Sequence, residues 1–306
     1  MKLPEKVTIV EVGPRDGLQN EPPFVPTDDK LELIFQLAQT GIRRIEITSF
    51  VHPRAVPQLQ DSDAVARTAI RQPGVTYSAL VPNEKGLERA LLAGMDSIAV
   101  FVSASETHNR RNVNMTISDS LQGFARIAAK AAGLGIFIRG YVVTAFGCPL
   151  EGKIDPGRVE FIIEEYLRLG ITEIALGDTT GMANPRSVEQ LLARIFPLPG
   201  QASLALHFHD TRGLALANIL VALQRGVTIF DGAIGGRGGC PYAPGSSGNV
   251  ATEDLVHLMT EMGIDTGVNL EALLDCARLA QKLVGRPLPG RLLSAGKIHW
   301  NQPGTC

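Results

Sequence analysis

Apolar residues fall in short, dense runs along this chain. VTIVEVG (7–13), RRIEITSF (43–50), TYSALV (76–81) and SIAVFVS (97–103) come first. IFIRGYVVTAF (136–146), EIALGDT (173–179), SLALHFHD (203–210) and TIFDGAIGG (228–236) follow. Most are nearly continuous in Val, Ile, Leu and Phe, the pattern of strands covered on both faces. Between them the apolar period changes to that of helices. TDDKLELIFQLAQTG predicts one helix, with Thr27 as its N-cap and Gly41 as its C-cap. Gly94 and Gly170 close two others just ahead of an apolar strand. Eight strands, seven intervening helices and an eighth from about Thr252 fill residues 7–262. That count and alternation predict an α/β chain folded as a (β/α)8 TIM barrel. A doubly wound open sheet is the alternative, but no G-x-G-x-x-G follows the first strand. An additional C-terminal helix over 270–284 is expected on the outside. The proline- and glycine-rich tail from Arg286 is expected to be loosely structured. No low-complexity linker divides the chain. Residues 1–306 therefore read as one domain, with the barrel at about 7–262 and the helix and tail at 263–306.

Composition narrows the class without changing that picture. The chain has 306 residues, of which 44% are hydrophobic and 20% charged, and a formal charge of −2. A core of this size needs no disulfides. No strong field draws the chain to nucleic acid or to a membrane surface. No apolar run reaches the ~18 residues of a membrane span, and the N-terminus lacks a signal-peptide core. Cys148, Cys240, Cys276 and Cys306 form no C-x-x-C pair, which weighs against structural zinc and against a disulfide framework. The expected setting is a reducing one, the cytoplasm.

A barrel does its chemistry at the C-terminal ends of its strands. Strand 1 ends with Arg15, Asp16 and Gln19. Strand 2 carries Glu46, strand 5 carries Arg139, and strand 6 ends with Asp178 and Thr179. Strand 7 ends His207-Phe208-His209, and two residues of separation on a strand point both imidazoles to one face. Two convergent imidazoles suit a divalent metal. Asp16 adds a hard oxygen from the adjoining strand, because strands 1 and 8 close the barrel. Asn249 adds an amide oxygen from the loop after strand 8. This mixed set suits magnesium, manganese or a similar ion. Plainer readings stand beside these: Arg15 with Asp16 as a surface ion pair, Glu46 with Arg139 as an ion pair inside the barrel, and Asp178 as a helix cap. His108, in the SETHN stretch after strand 4, is a candidate to face the site.

Taken together, VEVGPRDGLQNE, GYVVTAFGCPLEGK, LGDTTG, HFHDTRGLALAN and GGCPYAPGSSGNVATEDL resemble the 3-hydroxy-3-methylglutaryl-CoA lyase family. That family belongs to a wider group of metal-dependent TIM-barrel lyases and acyl-CoA synthases. The resemblance implies cleavage of a 3-hydroxy-acyl-CoA, for the named substrate into acetyl-CoA and acetoacetate, as in leucine breakdown and ketone-body formation. It implies metal ligands at Asp16, His207, His209 and Asn249, and catalytic roles for Arg15, Asp16, Glu46, Asp178 and Cys240. It places Arg15 and Arg139 in the active site and implies a homodimer; Arg15 and Arg139, with Gln19, Thr179 and His108 at or just after the strand ends, are the candidates for contact with the acyl-CoA substrate.

Two stretches depart from the family. Arg237 stands where the family commonly reads G-L-G-G-C. It is a candidate for a substrate carboxylate or a CoA phosphate, with an outward turn to solvent as the alternative. SASETHNRRNVN after strand 4 is unusually polar. Citramalyl-CoA and a longer-chain 3-hydroxyglutaryl-CoA are therefore alternative substrates. An acyl-CoA condensing synthase is a further alternative, disfavoured by the cysteine loop. A metal hydrolase or a binding barrel gives Cys240 no task.

Overall fold

The computed structural model describes residues 2–238 and 248–298. Eight parallel strands close into a barrel in sequence order: β1 Thr8–Glu11, β2 Arg44–Ser49, β3 Thr76–Leu80, β4 Ser97–Ser103, β5 Phe137–Val143, β6 Glu173–Asp178, β7 Ser203–Phe208 and β8 Ile229–Gly232. β1 pairs with β8 in register Val10 to Asp231, which seals the barrel. The expected (β/α)8 architecture is the observed one.

The helices are α1 Thr27–Gln39, α2 Ser62–Thr68, α3 Glu84–Leu92, α4 Glu106–Val113, α5 Ile117–Ala132, α6 Pro156–Arg168, α7 Pro185–Ile195, α8 Ala215–Gln224, α9 Thr252–Glu261, α10 Leu270–Val284 and α11 Arg291–Ala295. Their starts follow capping chemistry. Asn83, Ser105, Asp155 and Asn269 each accept a backbone N–H of the first turn. Thr116 with Asp119 and Asn184 with Ser187 close reciprocal capping boxes. Thr27 departs from expectation. It is the first residue of α1, after Pro26, and its hydroxyl donates to Asp61 at 2.9 Å instead of capping. The polar stretch after β4 forms the extra helix α4, where Asn109 accepts the Ser103 N–H and donates to Ser120 and the Met115 carbonyl.

The main apolar core lies between the strands and the helix ring. Inside the barrel the apolar cluster is small, built on Leu80, Ala99, Tyr141, Ala175 and Ala205. Three alanines in that set leave the axial space to charged side chains, which is where the site begins.

The tail corrects an expectation. α10 packs against α1 and α9, and the described residues beyond it stay docked. Leu288 and Leu292 are buried, Arg286 pairs with Glu21, and the Arg291 and Leu292 N–H groups donate to the Asp254 carboxylate. Two buried leucines and a carboxylate cap outweigh the prolines that made this segment read as loose. Among the described residues no helix is long and apolar enough to cross a membrane. Cys148 and Cys276 are buried free thiols.

Candidate active site

After β1 the chain turns sharply over Gly13–Gly17, with the Arg15, Asp16 and Gly17 N–H groups all directed at the Val12 carbonyl. This turn lays Arg15 and Asp16 across the barrel mouth. Glu11 fixes its base by accepting the Gly13 and Ile234 N–H groups (2.6 and 2.9 Å) and the Thr252 hydroxyl (2.6 Å). Three elements, β1, the end of β8 and α9, are thereby tied together under the site.

Asp16, His207 and His209 converge. One donor atom from each lies within 4.8 Å of the other two, and all three residues are buried. Asn249 joins them because the returning chain pairs with β7: Gly248 O accepts the Asp210 N–H, the Val250 N–H donates to Phe208 O, and His209 and Asn249 form an isolated bridge. The Asn249 amide N–H donates to Asp16 Oδ2 at 2.7 Å, and its Oδ1 is buried without a hydrogen-bond partner. An orphaned buried amide oxygen beside a carboxylate and two imidazoles is the donor set a hard or borderline divalent ion accepts. Burial raises the Asp16 carboxyl, but Arg15, His207 and His209 outweigh it and hold it below the ordinary range. Burial, reinforced by His207, pushes His209 down to about 3, so its imidazole is neutral and retains a lone pair.

Only glycine fits where the loop leaves and re-enters. At Gly238, with φ +92°, a Cβ would lie 2.6 Å from Asn249 Nδ2 and 2.8 Å from Asp16 O. At Gly248, with φ +99°, it would lie 2.4 Å from Gly238 O.

Arg15, Asp16, Gln19, His108, Thr179, Tyr141, His207 and His209 line a cavity of about 440 Å³ at the mouth. Arg15 is clamped by Glu46 on its Nε and by Asp16 on its Nη1. Burial works against the guanidinium charge, but those two carboxylates hold Arg15 firmly ionised. Gln19 donates to Asp16 at 2.8 Å, and the Thr179 hydroxyl accepts the Thr144 N–H.

Four expected residues do not line this cavity. Glu46 sits behind Arg15 and does not line the cavity. Arg139 is deeper in the barrel, between Glu173 and Asp231. Asp178 does act as a cap: its Oδ1 accepts the Met182 and Ala183 N–H groups, while Oδ2 has no partner, and burial pushes it up to about 7. Arg237 is fully buried and lines neither cavity wall nor surface. Its Nε donates to Ile234 O, and its charge answers Glu11, Glu21 and Glu253. Burial still pulls the guanidinium down to about 10. Cys240 lies outside the described residues.

Sequence reasoning missed Asp231, Tyr141, Glu173 and Glu11. The available signal was a charge inside an apolar strand, as in TIFDG, which a barrel interior tolerates only when paired.

The acids around Arg237 set a pH dependence. Burial raises Glu11 to about 7 and Glu253 to about 8, and Asp178 stands at about 7. Each holds a proton when folded that the unfolded chain releases at lower pH. Their contribution is therefore intact below the unfolded carboxylate values and lost as pH rises through the folded ones. The melting temperature should fall between pH ~5 and ~8 and level off above. Glu253→Gln should flatten the upper part of that fall in calorimetry at stepped pH. An unchanged slope would remove Glu253 as a source.

The family model described as HMGL-like matches residues 6–280. Hydroxymethylglutaryl-CoA lyase YngG of Bacillus subtilis is 51% identical over 297 residues, spanning 97% of this chain and 99% of that protein. The solved structure of the Bacillus subtilis HMG-CoA lyase superposes with a TM-score of 0.93 at 52% identity, covering 96% of this chain and 99% of that one. An HMG-CoA lyase from Acinetobacter baumannii, solved with coenzyme A and 3-methylmalate, has a TM-score of 0.93 at 44% identity and covers 98% of each chain. With the match spanning most of its length and the barrel-mouth cluster in place, this chain belongs to the HMGL-like family.

Proposed function

We infer that the chain is a carbon–carbon lyase that cleaves 3-hydroxy-3-methylglutaryl-CoA into acetyl-CoA and acetoacetate. The observation that carries this reading is the Asp16, His207 and His209 cluster at the barrel mouth, in a chain half identical to a lyase of that name. The relative solved with coenzyme A supports an acyl-CoA as the substrate.

The bond to be broken joins the carbinol carbon to the carbon beside the thioester. The hydroxyl proton must leave, the C–C electron pair must pass into a thioester enolate, and that enolate must take a proton on carbon. Asp16, His207, His209 and Asn249 would hold a divalent ion, which would supply Lewis-acid assistance to loss of the hydroxyl proton. Arg15, held charged by Glu46 and Asp16, can donate to the thioester oxygen as negative charge grows there. Asp178, raised to about 7 with one oxygen unbonded, has the proton affinity suited to transfer near neutral pH. Asp16 serves less well as a base, because its neighbours hold it below the ordinary range. Cys240, a thiol with an ordinary pKa of about 8.5, is the proposed acid that protonates the enolate carbon. His108, Gln19 and Thr179 line the wall that would face the acyl group.

Purified protein with magnesium and 3-hydroxy-3-methylglutaryl-CoA should yield acetyl-CoA and acetoacetate in equal amounts. Free CoA with intact hydroxyacid would sink the lyase reading, and pyruvate from a parallel citramalyl-CoA incubation would reassign the substrate. Cys240→Ala should lower turnover by about 10²–10⁴-fold with metal content unchanged; lost metal would refute the proton-donor role. Magnesium or manganese as the resident ion rests on the mixed nitrogen and oxygen donors. A cytoplasmic location is supported by the free thiols of Cys148 and Cys276. A homodimer is carried by the resemblance, with sedimentation of the purified chain as its test.

A further inference from the structure

Charged residues alternate in sign down the barrel axis. Arg44 grips Glu173 with two nitrogens, at 2.8 and 2.5 Å. Glu173 pairs with Arg139 at 3.1 Å, and Arg139 Nη2 donates to Asp231 Oδ1 at 2.7 Å. The other oxygen, Asp231 Oδ2, faces both the Tyr141 hydroxyl at 3.0 Å and His207 Nδ1 at 3.1 Å. Asp231 and His207 are register partners on adjacent strands, so the backbone itself sets this approach. Tyr141 also packs edge-on against the imidazole, with ring centroids 6.1 Å apart. The series begins at the barrel floor and ends on a residue of the metal cluster.

We propose that Asp231 is a positioning residue that holds hydrogen on Nδ1 of His207 and so keeps the Nε2 lone pair free for the metal. The proposal rests on the metal reading above. An ionised carboxylate only accepts, so the Asp231–His207 contact requires a proton on Nδ1. Arg139 Nη2 donates to Asp231 Oδ1 at 2.7 Å and the Tyr141 hydroxyl donates to Oδ2 at 3.0 Å, so both oxygens serve as acceptors. Arg139 prevents the carboxylate from rotating, and Glu173 and Arg44 hold Arg139. Arg139 thus acts through Asp231 and His207, not by touching the substrate. A carboxylate behind a ligating histidine both selects the tautomer and strengthens the donor.

The test is Asp231→Asn. Arg139 donates only, so it would retain the amide oxygen and turn the amide NH2 toward His207 Nδ1. That arrangement forces hydrogen onto Nε2, the nitrogen needed for the metal. Mn²⁺ binding, read from the electron paramagnetic resonance signal of the free ion, should weaken by about 10–100-fold. Long-range ¹H–¹⁵N spectra of ¹⁵N-histidine protein should show His207 protonated on Nδ1 in the metal-free wild type and on Nε2 in the variant. His207→Gln supplies the assignment. Wild-type Mn²⁺ affinity in Asp231→Asn, or hydrogen on Nε2 in the wild type, would overturn the proposal. Should the variant fail to fold, the wild-type spectrum decides alone. No Mn²⁺ uptake by the wild type would instead overturn the metal reading on which it rests.

Discussion

Asp16→Ala should strip the site of metal and reduce kcat by about 10³-fold or more. Asp16 is the hub of the mouth: it offers an oxygen to the cluster with His207 and His209, and it accepts hydrogen bonds from Arg15, Gln19 and Asn249. Lewis-acid assistance contributes several kcal/mol to such a reaction, and about 4 kcal/mol corresponds to a 10³-fold rate. The loss of Asp16 also removes one of the two acceptors of the Asn249 amide and leaves Arg15 with one clamp. Elemental analysis of the dialysed variant, beside its turnover, checks both halves of the expectation. Full metal occupancy would remove Asp16 from the ligand set.

Arg15→Gln should lower kcat by about 10²–10³-fold, the usual effect of losing one donor to a developing oxyanion. kcat and kcat/KM should fall together, because the interaction grows only as charge forms. The same change strands Glu46 in the barrel, and breaking a buried ion pair costs about 3–5 kcal/mol of stability. Glu46 already sits above the ordinary carboxylate range because of burial, despite Arg15. Arg15→Gln with Glu46→Gln separates the two effects. The double variant should regain thermal stability, with no return of activity. Recovery of turnover would mean that Arg15 matters for folding alone.

The barrel was legible because its strands are buried on both faces, which writes them as unbroken apolar runs such as SIAVFVS and EIALGDT. The glycines at 94 and 170 punctuated them, and both adopt positive φ after a helix. The cluster was legible because H-x-H at the end of β7 points two imidazoles to one face, and Asp16 on the turn after β1 reaches them across β8. Asp231 and Glu173 were not, since a charge inside a strand gains its meaning from a partner on another strand. Register, not sequence separation, brings Arg139 opposite Glu173 and His207 opposite Asp231. Arg237 was misread for a related reason. Its sequence neighbours are glycines at the mouth, but its charge partners, Glu11, Glu21 and Glu253, come from distant segments. The tail was misread because proline and glycine predict broken helices without saying whether the broken chain is docked.

Gly248 stands so close to Gly238 that a Cβ on it would lie 2.4 Å from Gly238 O, and a Cβ on Gly238 would meet Asn249 and Asp16. Residues 238 and 248 therefore lie side by side at one point on the barrel. A segment whose ends are already joined behaves as an exchangeable cassette. Doubling its length would add only about 0.6 kcal/mol of closure entropy, and His209 and Asn249 would keep their pairing. An insertion between residues 238 and 248 should thus leave the fold and the Asp16, His207 and His209 cluster intact, provided that Cys240 and the two glycines are retained.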